Sequence, residues 1–288
     1  MGVMIQRIYR YHDGRYKVTK MLPNAPKMLA EEPDSNEIVS AVEKPFEKLR
    51  NNVIRAAGSI QSLGLCNPWD WFATFTLDKK KYPDRLALDS FRQDLTRFIR
   101  HIRQKYPNYT CAFLLVPELH QDAKGWHMHG LLRDFPADLL RLFTLEEKLP
   151  YYIRNKLQDG QPVYDFPAYR EKFGFCDIEP LREKDAAVGY LTKYVIKGLN
   201  ATGKHLEKGK HLFFVSRGLQ RPQLVEEKEV ESTPGLAKTE MLSDLELDGL
   251  IPCFPQVIKA EVDGVERIFG EICWYELAPF GIIPSEVS

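Results

Sequence analysis

Two histidines separated by a single residue, His127 and His129, are well placed in this sequence to bind a metal ion. They lie in the segment GWHMHGLL, which has the composition of a β-strand, and side chains two residues apart on a strand point to the same face. Both imidazoles can therefore reach one ion. The alternative for such a pair is an ordinary surface or core position that binds nothing.

A carboxylate on the preceding segment favours the metal interpretation. Glu118 lies near the end of the otherwise apolar run AFLLVPEL, which a short loop joins to the histidine strand as a hairpin. Two imidazoles and one carboxylate make a three-ligand site with open positions, which is typical of catalysis rather than of a closed structural zinc site. His120 shares the face of Glu118 by alternation. The sequence leaves open whether it is a fourth ligand or supports another ligand.

A second set of reactive side chains repeats along one predicted helix, YLTKYVIK. Tyr190 and Tyr194 are four residues apart and share one stripe of that helix, and Lys193 and Lys197 share another. A phenol, with a free pKa of about 10, becomes a nucleophile when it loses its proton, and a neighbouring lysine favours the phenolate and can hold a phosphate oxygen. The alternative is an amphipathic helix with half-buried tyrosines.

The elements that must position these groups alternate between strands and helices. Their order, β-α-β-β-α-β-α, predicts an α+β fold with an RRM-like or ferredoxin-like core, in which helices flank one face of a central antiparallel sheet. Apolar periodicity predicts strands at 69–78, 111–119, 126–132 and 175–181, helices at 88–106, 136–148 and 184–199, and an insertion with turns at 150–174.

The sequence predicts an appendage at each end of this core. Residues 1–65 are expected to form an N-terminal tail, interrupted by prolines over 1–36, followed by a basic helix that ends near residue 64. Residues 66–222 are expected to form the core domain. Residues 223–288 are expected to form an acidic C-terminal extension.

The 288 residues include 40 basic and 40 acidic side chains, which are unevenly distributed. Residues 1–225 hold 36 bases and 26 acids, a net charge of +10, whereas residues 226–288 hold 4 bases and 14 acids, a net charge of −10. A basic body suits nucleic acid, although a solvated surface of mixed sign is an equal alternative. The 44% hydrophobic content excludes disordered and fibrous classes, and the lack of a long apolar run predicts a soluble, cytoplasmic protein.

Three segments in order resemble the motifs of HUH endonucleases of the rolling-circle replication initiator (Rep) type. FATFTLD at 72–78 is similar to the first motif, PEL…GWHMHGLL at 117–132 to the metal-binding second, and YLTKYVIK at 190–197 to the third. The doubled tyrosine resembles the gene A proteins of single-stranded DNA phages. Relaxases, the sister branch, place the tyrosine ahead of the histidines, so the order found here favours an initiator.

The resemblance implies an endonuclease and strand transferase that starts rolling-circle replication of a phage or plasmid in a bacterial host. Glu118, His127 and His129 would hold Mg²⁺ or Mn²⁺, with no other cofactor. Tyr190 or Tyr194 would attack single-stranded origin DNA, leaving a 5′-phosphotyrosine and a free 3′-OH.

The same resemblance gives the lysines a supporting role and implies a further partner. Lys193 and Lys197 would stabilise charge on the phosphate. Because the segment GLNATGKH departs from a P-loop, unwinding would need a separate host or element-encoded helicase.

Four further residues are candidate DNA contacts, namely Arg50, Arg55, Arg97 and Trp126. Arginines on helix faces can follow phosphates and tryptophan can stack on a base, although solvated helix faces and a core tryptophan are the alternatives. Other functions also fit the motifs. They are a non-catalytic origin-binding regulatory protein of the same fold, an HUH transposase or relaxase, and a metallohydrolase in which the tyrosines are structural.

Overall fold

The computed structural model describes residues 2–23, 43–120, 124–202, 211–232, 250–262 and 265–277. The helices, numbered along the chain, are α1 (Glu43–Cys66), α2 (Leu88–Lys105), α3 (Tyr151–Gln158), α4 (Pro167–Lys172) and α5 (Lys184–Thr202). The strands are β1 (Gly2–Arg10), β2 (Tyr16–Met21), β3 (Trp71–Thr76), β4 (Ala112–Leu119), β5 (Trp126–Arg133), β6 (Arg141–Leu142), β7 (Tyr164–Asp165), β8 (Cys176–Pro180), β9 (Phe214–Val215), β10 (Gln223–Ser232), β11 (Leu250–Val262) and β12 (Val265–Leu277). None of the described helices is long and apolar enough to cross a membrane.

Contacts divide the chain into two units, one formed by Met1–Asn51 with Gln220–Ser288 and the other by Asn52–Leu219. The first unit contains a five-stranded antiparallel sheet in the order β10-β1-β2-β12-β11. The prediction of a tail over residues 1–36 is therefore wrong for β1 and β2. Ile8, Val18 and Cys273 form a small core on one face of this sheet, and the pairing partners come from the far end of the chain, which local sequence patterns do not reveal.

The second unit contains a seven-stranded antiparallel sheet in the order β6-β7-β8-β3-β5-β4-β9. Helix α2 joins β3 to β4, and β5 lies between those two strands, which is the split βαβ arrangement. Strands β3, β4, β5 and β8 coincide with the four predicted strands to within a few residues. The α+β fold with antiparallel sheets and flanking helices is confirmed.

The helices of the second unit cover both faces of its sheet, whereas the sequence predicts helices on one face. Phe91, Leu95 and Ile99 of α2 pack with Phe75 and Met128 in the main core. Helix α5 lies on the other face, where the Tyr194 ring stacks on the His129 ring. The predicted core takes its second helix from 136–148, which does not form, and α5, which follows β8 as predicted, covers the other face.

The helix predicted at 136–148 is absent from the structure, so that prediction is wrong. The segment instead contains a single 3₁₀ turn at Ala137–Leu139 and the short strand β6. Glu147 accepts hydrogen bonds from the guanidinium of Arg141 and from the backbone N–H of Thr144, which favours a turn over a helix. Buried Phe143 packs with Ile153 and Val163.

Candidate active site

Two adjacent strands bring the candidate metal ligands onto one face of the sheet, and a third strand places two threonines beside them. On β5, His127 and His129 alternate with Met128, which is fully buried in the core on the opposite face. Glu118 of β4 is directly paired with His127 across the hairpin. On the other side of β5, Thr76 is paired with His127 and Thr74 with His129. The period-two pattern in the sequence is thus realised as a continuous polar row.

The threonines of β3 fix the orientation of the two imidazole rings. Thr76 Oγ1 lies 3.1 Å from Nδ1 of His127, and Thr74 Oγ1 lies 3.3 Å from Nδ1 of His129. With Nδ1 engaged in this way, Nε2 of His129 points to Glu118, whose Oε2 lies 2.9 Å away. The threonines are not among the site residues predicted from the sequence, although their alternation along the strand FATFTLD indicates that they share one face.

The imidazole–carboxylate contact is compatible with a divalent ion. Two oxygen or nitrogen ligands that each lie about 2.1 Å from an ion are themselves about 3 Å apart, close to the separation of Glu118 Oε2 and His129 Nε2. Among the described residues, however, no three His, Cys, Asp or Glu side chains already form a group that could hold a metal. His127 stacks on His120, with ring centroids 5.0 Å apart.

The two tyrosines of α5 lie against this polar row. The Tyr194 ring stacks on the His129 ring with a centroid distance of 4.1 Å and an interplanar angle of 1°. The Tyr194 hydroxyl donates a short hydrogen bond to the Tyr190 hydroxyl. Tyr190 packs its ring near Phe72 and is 49% exposed, whereas Tyr194 is 9% exposed. The structure therefore brings both phenols and both imidazoles together.

The structure describes the side chain of one of the two candidate lysines. Lys193 is exposed on α5 and does not line the cleft, and the side chain of Lys197 lies outside the described residues. Burial, followed by the hydrogen bond to Tyr190, raises the pKa of Tyr194 well above its usual value. Burial thus opposes ionisation of Tyr194, and the prediction that a neighbouring lysine favours the phenolate stays a prediction.

None of the three predicted DNA contacts whose side chains the structure describes lines the cleft beside the tyrosines. Trp126 is a core residue, 7% exposed, whose indole N–H donates to the backbone carbonyl of Leu86, so it cannot stack on a base. Arg97 lies on α2, across the sheet from the tyrosines, and is paired with Asp94 at 3.1 Å. Arg55 is exposed on α1, and the Arg50 side chain lies outside the described residues.

A cleft of about 770 Å³ opens beside the histidines and tyrosines. Both histidines and both tyrosines line it, together with residues of β3, β8, α3 and the start of α5. The far wall of the cleft is formed by side chains that are not among the site residues predicted from the sequence. They are Tyr152, Lys156, Gln161, Asp177 and Glu179.

The far wall is held by two polar contacts. Tyr152 donates a hydrogen bond of 2.8 Å to Asp177, and Lys156 is paired with Glu179 at 2.5 Å. Asp177 is 3% exposed, and this burial raises its pKa to about 6. The signal that identified Glu118, a carboxylate within an otherwise apolar strand, is also present in FCDIEPL and could have identified Asp177.

Residues 70–199 match the model of a family described as replication-associated protein ORF2/G2P. The match covers less than half of the chain and includes all of the candidate metal ligands and both tyrosines. No curated protein and no solved structure matches the chain. The similarity supports a replication-associated protein.

Proposed function

We propose that this protein is a replication initiator that nicks and rejoins single-stranded DNA through a 5′-phosphotyrosine intermediate. The observation that carries the proposal is the stacking of Tyr194 on His129 with its hydroxyl on Tyr190. This arrangement places two candidate nucleophiles beside an imidazole–carboxylate pair at one open cleft. The similarity of residues 70–199 to replication-associated proteins supports the same function.

The reaction is a transesterification in which the number of phosphodiester bonds is conserved. A tyrosine oxygen attacks the scissile phosphorus, the bond from phosphorus to the 3′-oxygen breaks, and the phenolic proton ends on the released 3′-OH. The DNA 5′-phosphate is then esterified to tyrosine, and attack by a 3′-OH reverses the step. Because the ester retains the bond energy, rejoining requires no ATP.

Glu118, His127 and His129 are the residues that would hold Mg²⁺ or Mn²⁺ in this proposal. When bound, such an ion would act as a Lewis acid on the scissile phosphate. Thr74 and Thr76 orient the imidazoles by their contacts with Nδ1.

Each of the two tyrosines would perform one of the two cleavages in a replication round. Tyr190, the more exposed phenol, accepts the hydrogen bond of Tyr194, which stabilises charge on the Tyr190 oxygen during attack. We therefore assign the first cleavage to Tyr190 and the second to Tyr194. Lys193 and Lys197 would steady phosphate oxygens, and strand separation would be supplied by a separate helicase.

The proposal predicts a covalent protein–DNA adduct. End-labelled single-stranded oligonucleotides incubated with the protein and Mn²⁺ should give an adduct that survives denaturation, and chelation of the metal should prevent it. Adduct formation should persist in part in each single variant, Tyr190→Phe or Tyr194→Phe, and be lost in the double variant. Tyr151→Phe is the matched control, because Tyr151 is 79% exposed and does not line the cleft.

The outcomes of this experiment distinguish the alternatives. Cleavage without an adduct would indicate a metallohydrolase that uses water as the nucleophile. Binding without cleavage would indicate a non-catalytic origin-binding protein. An adduct that persists in the double variant would contradict the assignment of the nucleophiles.

A further inference from the structure

The far wall of the cleft contains a buried carboxylate that the nicking reaction does not use. Asp177 is 3% exposed, and the partner that orients it is the neutral hydroxyl of Tyr152. A carboxylate removed from water is costly to maintain, and the charge of Lys156, which is itself paired with Glu179, offsets only part of this cost. Its pKa is accordingly raised by burial.

The charges on this wall are unsuited to the DNA backbone. Asp177 and Glu179 lie two residues apart on β8 and both line the cleft, while Lys156 is already paired with Glu179. Carboxylates repel phosphates, but they accept hydrogen bonds from the N–H groups of bases. The donors that fit this wall are therefore on base edges.

Flat aromatic surfaces accompany these acceptors. Tyr152 is 46% exposed, and its ring lines the cleft together with Phe72. Bases of single-stranded DNA stack on such rings whatever their sequence, so the rings would hold a base while the carboxylate reads its edge. Gln161 and Lys156 line the same wall and can donate to base carbonyl oxygens.

The far wall lies at a distance from His129 that a nucleotide next to the nick could span. Asp177 is paired with Thr74 across β8 and β3, and Thr74 is paired with His129 across β3 and β5. Two strand spacings separate Asp177 from His129, which is about 10 Å along the sheet. A phosphate beside His129 would thus have one of its flanking bases near Asp177.

We propose that Phe72, Tyr152, Asp177 and Glu179 form a subsite for one amino-bearing nucleobase that flanks the scissile phosphate. This inference rests on the proposed nicking of single-stranded DNA. Guanine is the preferred occupant, because its Watson–Crick edge presents two adjacent N–H donors that match the two oxygens of one carboxylate. Thymine, which has no amino group, is disfavoured.

A randomised pool of single-stranded oligonucleotides tests the subsite. The protein is incubated with the pool and Mn²⁺, and both the covalently captured fragments and the released 3′-OH fragments are sequenced. The wild-type protein should enrich guanine at one position adjoining the nick. Replacing that guanine by inosine, which lacks only the exocyclic amino group, should slow adduct formation about tenfold, in line with the discrimination given by one good base contact.

The Asp177→Asn variant should lose both the enrichment and the inosine effect, whatever its overall rate. Asp138→Asn is the matched control, since Asp138 is an exposed carboxylate in the same unit that does not line the cleft, and it should keep the guanine preference. Tyr152→Phe, which keeps the ring but releases Asp177, should weaken the preference.

Two results would overturn the subsite, and they differ from failure of the proposed function. Adducts that form without preference for an amino-bearing base beside the nick would refute it, as would a guanine preference that Asp177→Asn leaves intact. The inosine comparison uses the wild-type protein, so it tests the subsite even if a variant fails to fold. Absence of an adduct on every sequence would instead refute the nicking function itself.

Discussion

The hydrogen bond between the two tyrosine hydroxyls makes the two phenols unequal. Tyr194 is buried against His129 and donates, whereas Tyr190 is half exposed and accepts. An oxygen that accepts a hydrogen bond is the better placed to carry negative charge during attack. The doubled Tyr-x-x-Lys pattern predicted that both phenols lie on one stripe of the helix. It could not predict that Tyr194 is more buried than Tyr190, because that difference depends on how the helix packs on the sheet.

This asymmetry predicts different effects of removing each hydroxyl on the first cleavage. Tyr190→Phe should remove the first nucleophile and leave only slow cleavage by Tyr194. Tyr194→Phe should slow the first cleavage about tenfold to a hundredfold, the effect of losing one hydrogen bond to a charged group. Single-turnover cleavage of a labelled oligonucleotide measures both rates, and a faster first cleavage in Tyr190→Phe than in Tyr194→Phe would contradict the assignment.

The buried carboxylate of Asp177 predicts a pH dependence of stability with a defined sign. Its pKa rises from an ordinary 3.8 to about 6 on folding, so the folded state holds more protons between these values. The free energy of unfolding therefore falls as the pH rises from about 4 to about 6, by up to about 3 kcal/mol from this group. In the Asp177→Asn variant, this decrease in the free energy of unfolding should be absent.

Thermal unfolding of the wild-type protein and of Asp177→Asn at two pH values measures this contribution. The variant should have the higher Tm at neutral pH, where Asp177 is ionised, and the advantage should shrink near pH 4, which is about the ordinary pKa of an aspartate. A Tm difference that does not change with pH would show that Asp177 does not titrate in this way.

At the scale of elements, the packing of α1 on α5 supports the position of the tyrosines. A Cβ atom at Gly64 of α1 would lie 2.5 Å from Cγ2 of Val188 on α5, so only glycine allows this approach. The sequence predicted that the first helix ends near Gly64, but the close contact with a helix more than a hundred residues later depends on the tertiary fold.

Two glycine substitutions on the same helix test this contact. Gly64→Ala should destabilise the protein by about 1–3 kcal/mol through overpacking, and by displacing α5 it should slow adduct formation. Gly58→Ala is the matched control, because nothing lies within 4 Å of the added atom, and it should stabilise the helix by about 0.5–1 kcal/mol. Denaturant unfolding measures both changes, and equal effects of the two substitutions would show that the contact is unimportant.

Local periodicity predicted the strands and long helices of the second unit because each buries a regular apolar face. It failed for 136–148, where Glu147 accepts hydrogen bonds from Arg141 and Thr144 and the segment folds into turns. It also failed for β1, which pairs with β2 nearby in the sequence and with β10 more than two hundred residues away. The polar far wall of the cleft was missed because its members come from α3, from the segment after it and from β8, which only the tertiary fold brings together.

At the scale of the whole molecule, the uneven distribution of charge has a structural counterpart. Strand β10 belongs to the acidic region of the chain and pairs with β1, where Glu227 forms an ion pair of 2.5 Å with Arg7. The sequence predicted the charge separation between the two regions but not this pairing. The basic region supplies the cleft, where the exposed Arg182 is one of the lining residues.

The charges around the cleft predict how DNA binding depends on salt. Arg182→Ala should weaken binding of single-stranded DNA and reduce the slope of log K against log salt by about 0.7, the value for one phosphate contact. Arg97→Ala is the matched control, because Arg97 lies across the sheet on α2 and is paired with Asp94. Binding titrations at several salt concentrations measure the slopes, and an equal change in both variants would mean that the DNA does not follow this cleft.

The most direct test of the central claim is to identify the residue that carries DNA after the reaction. Trypsin cleaves after Lys184, Lys193 and Lys197, so Tyr190 and Tyr194 fall in different peptides that mass spectrometry can distinguish. With wild-type protein, a 5′-phosphorylated DNA fragment should be attached to the peptide containing Tyr190, and with Tyr190→Phe to the peptide containing Tyr194. Cleaved DNA with neither peptide modified would contradict the account.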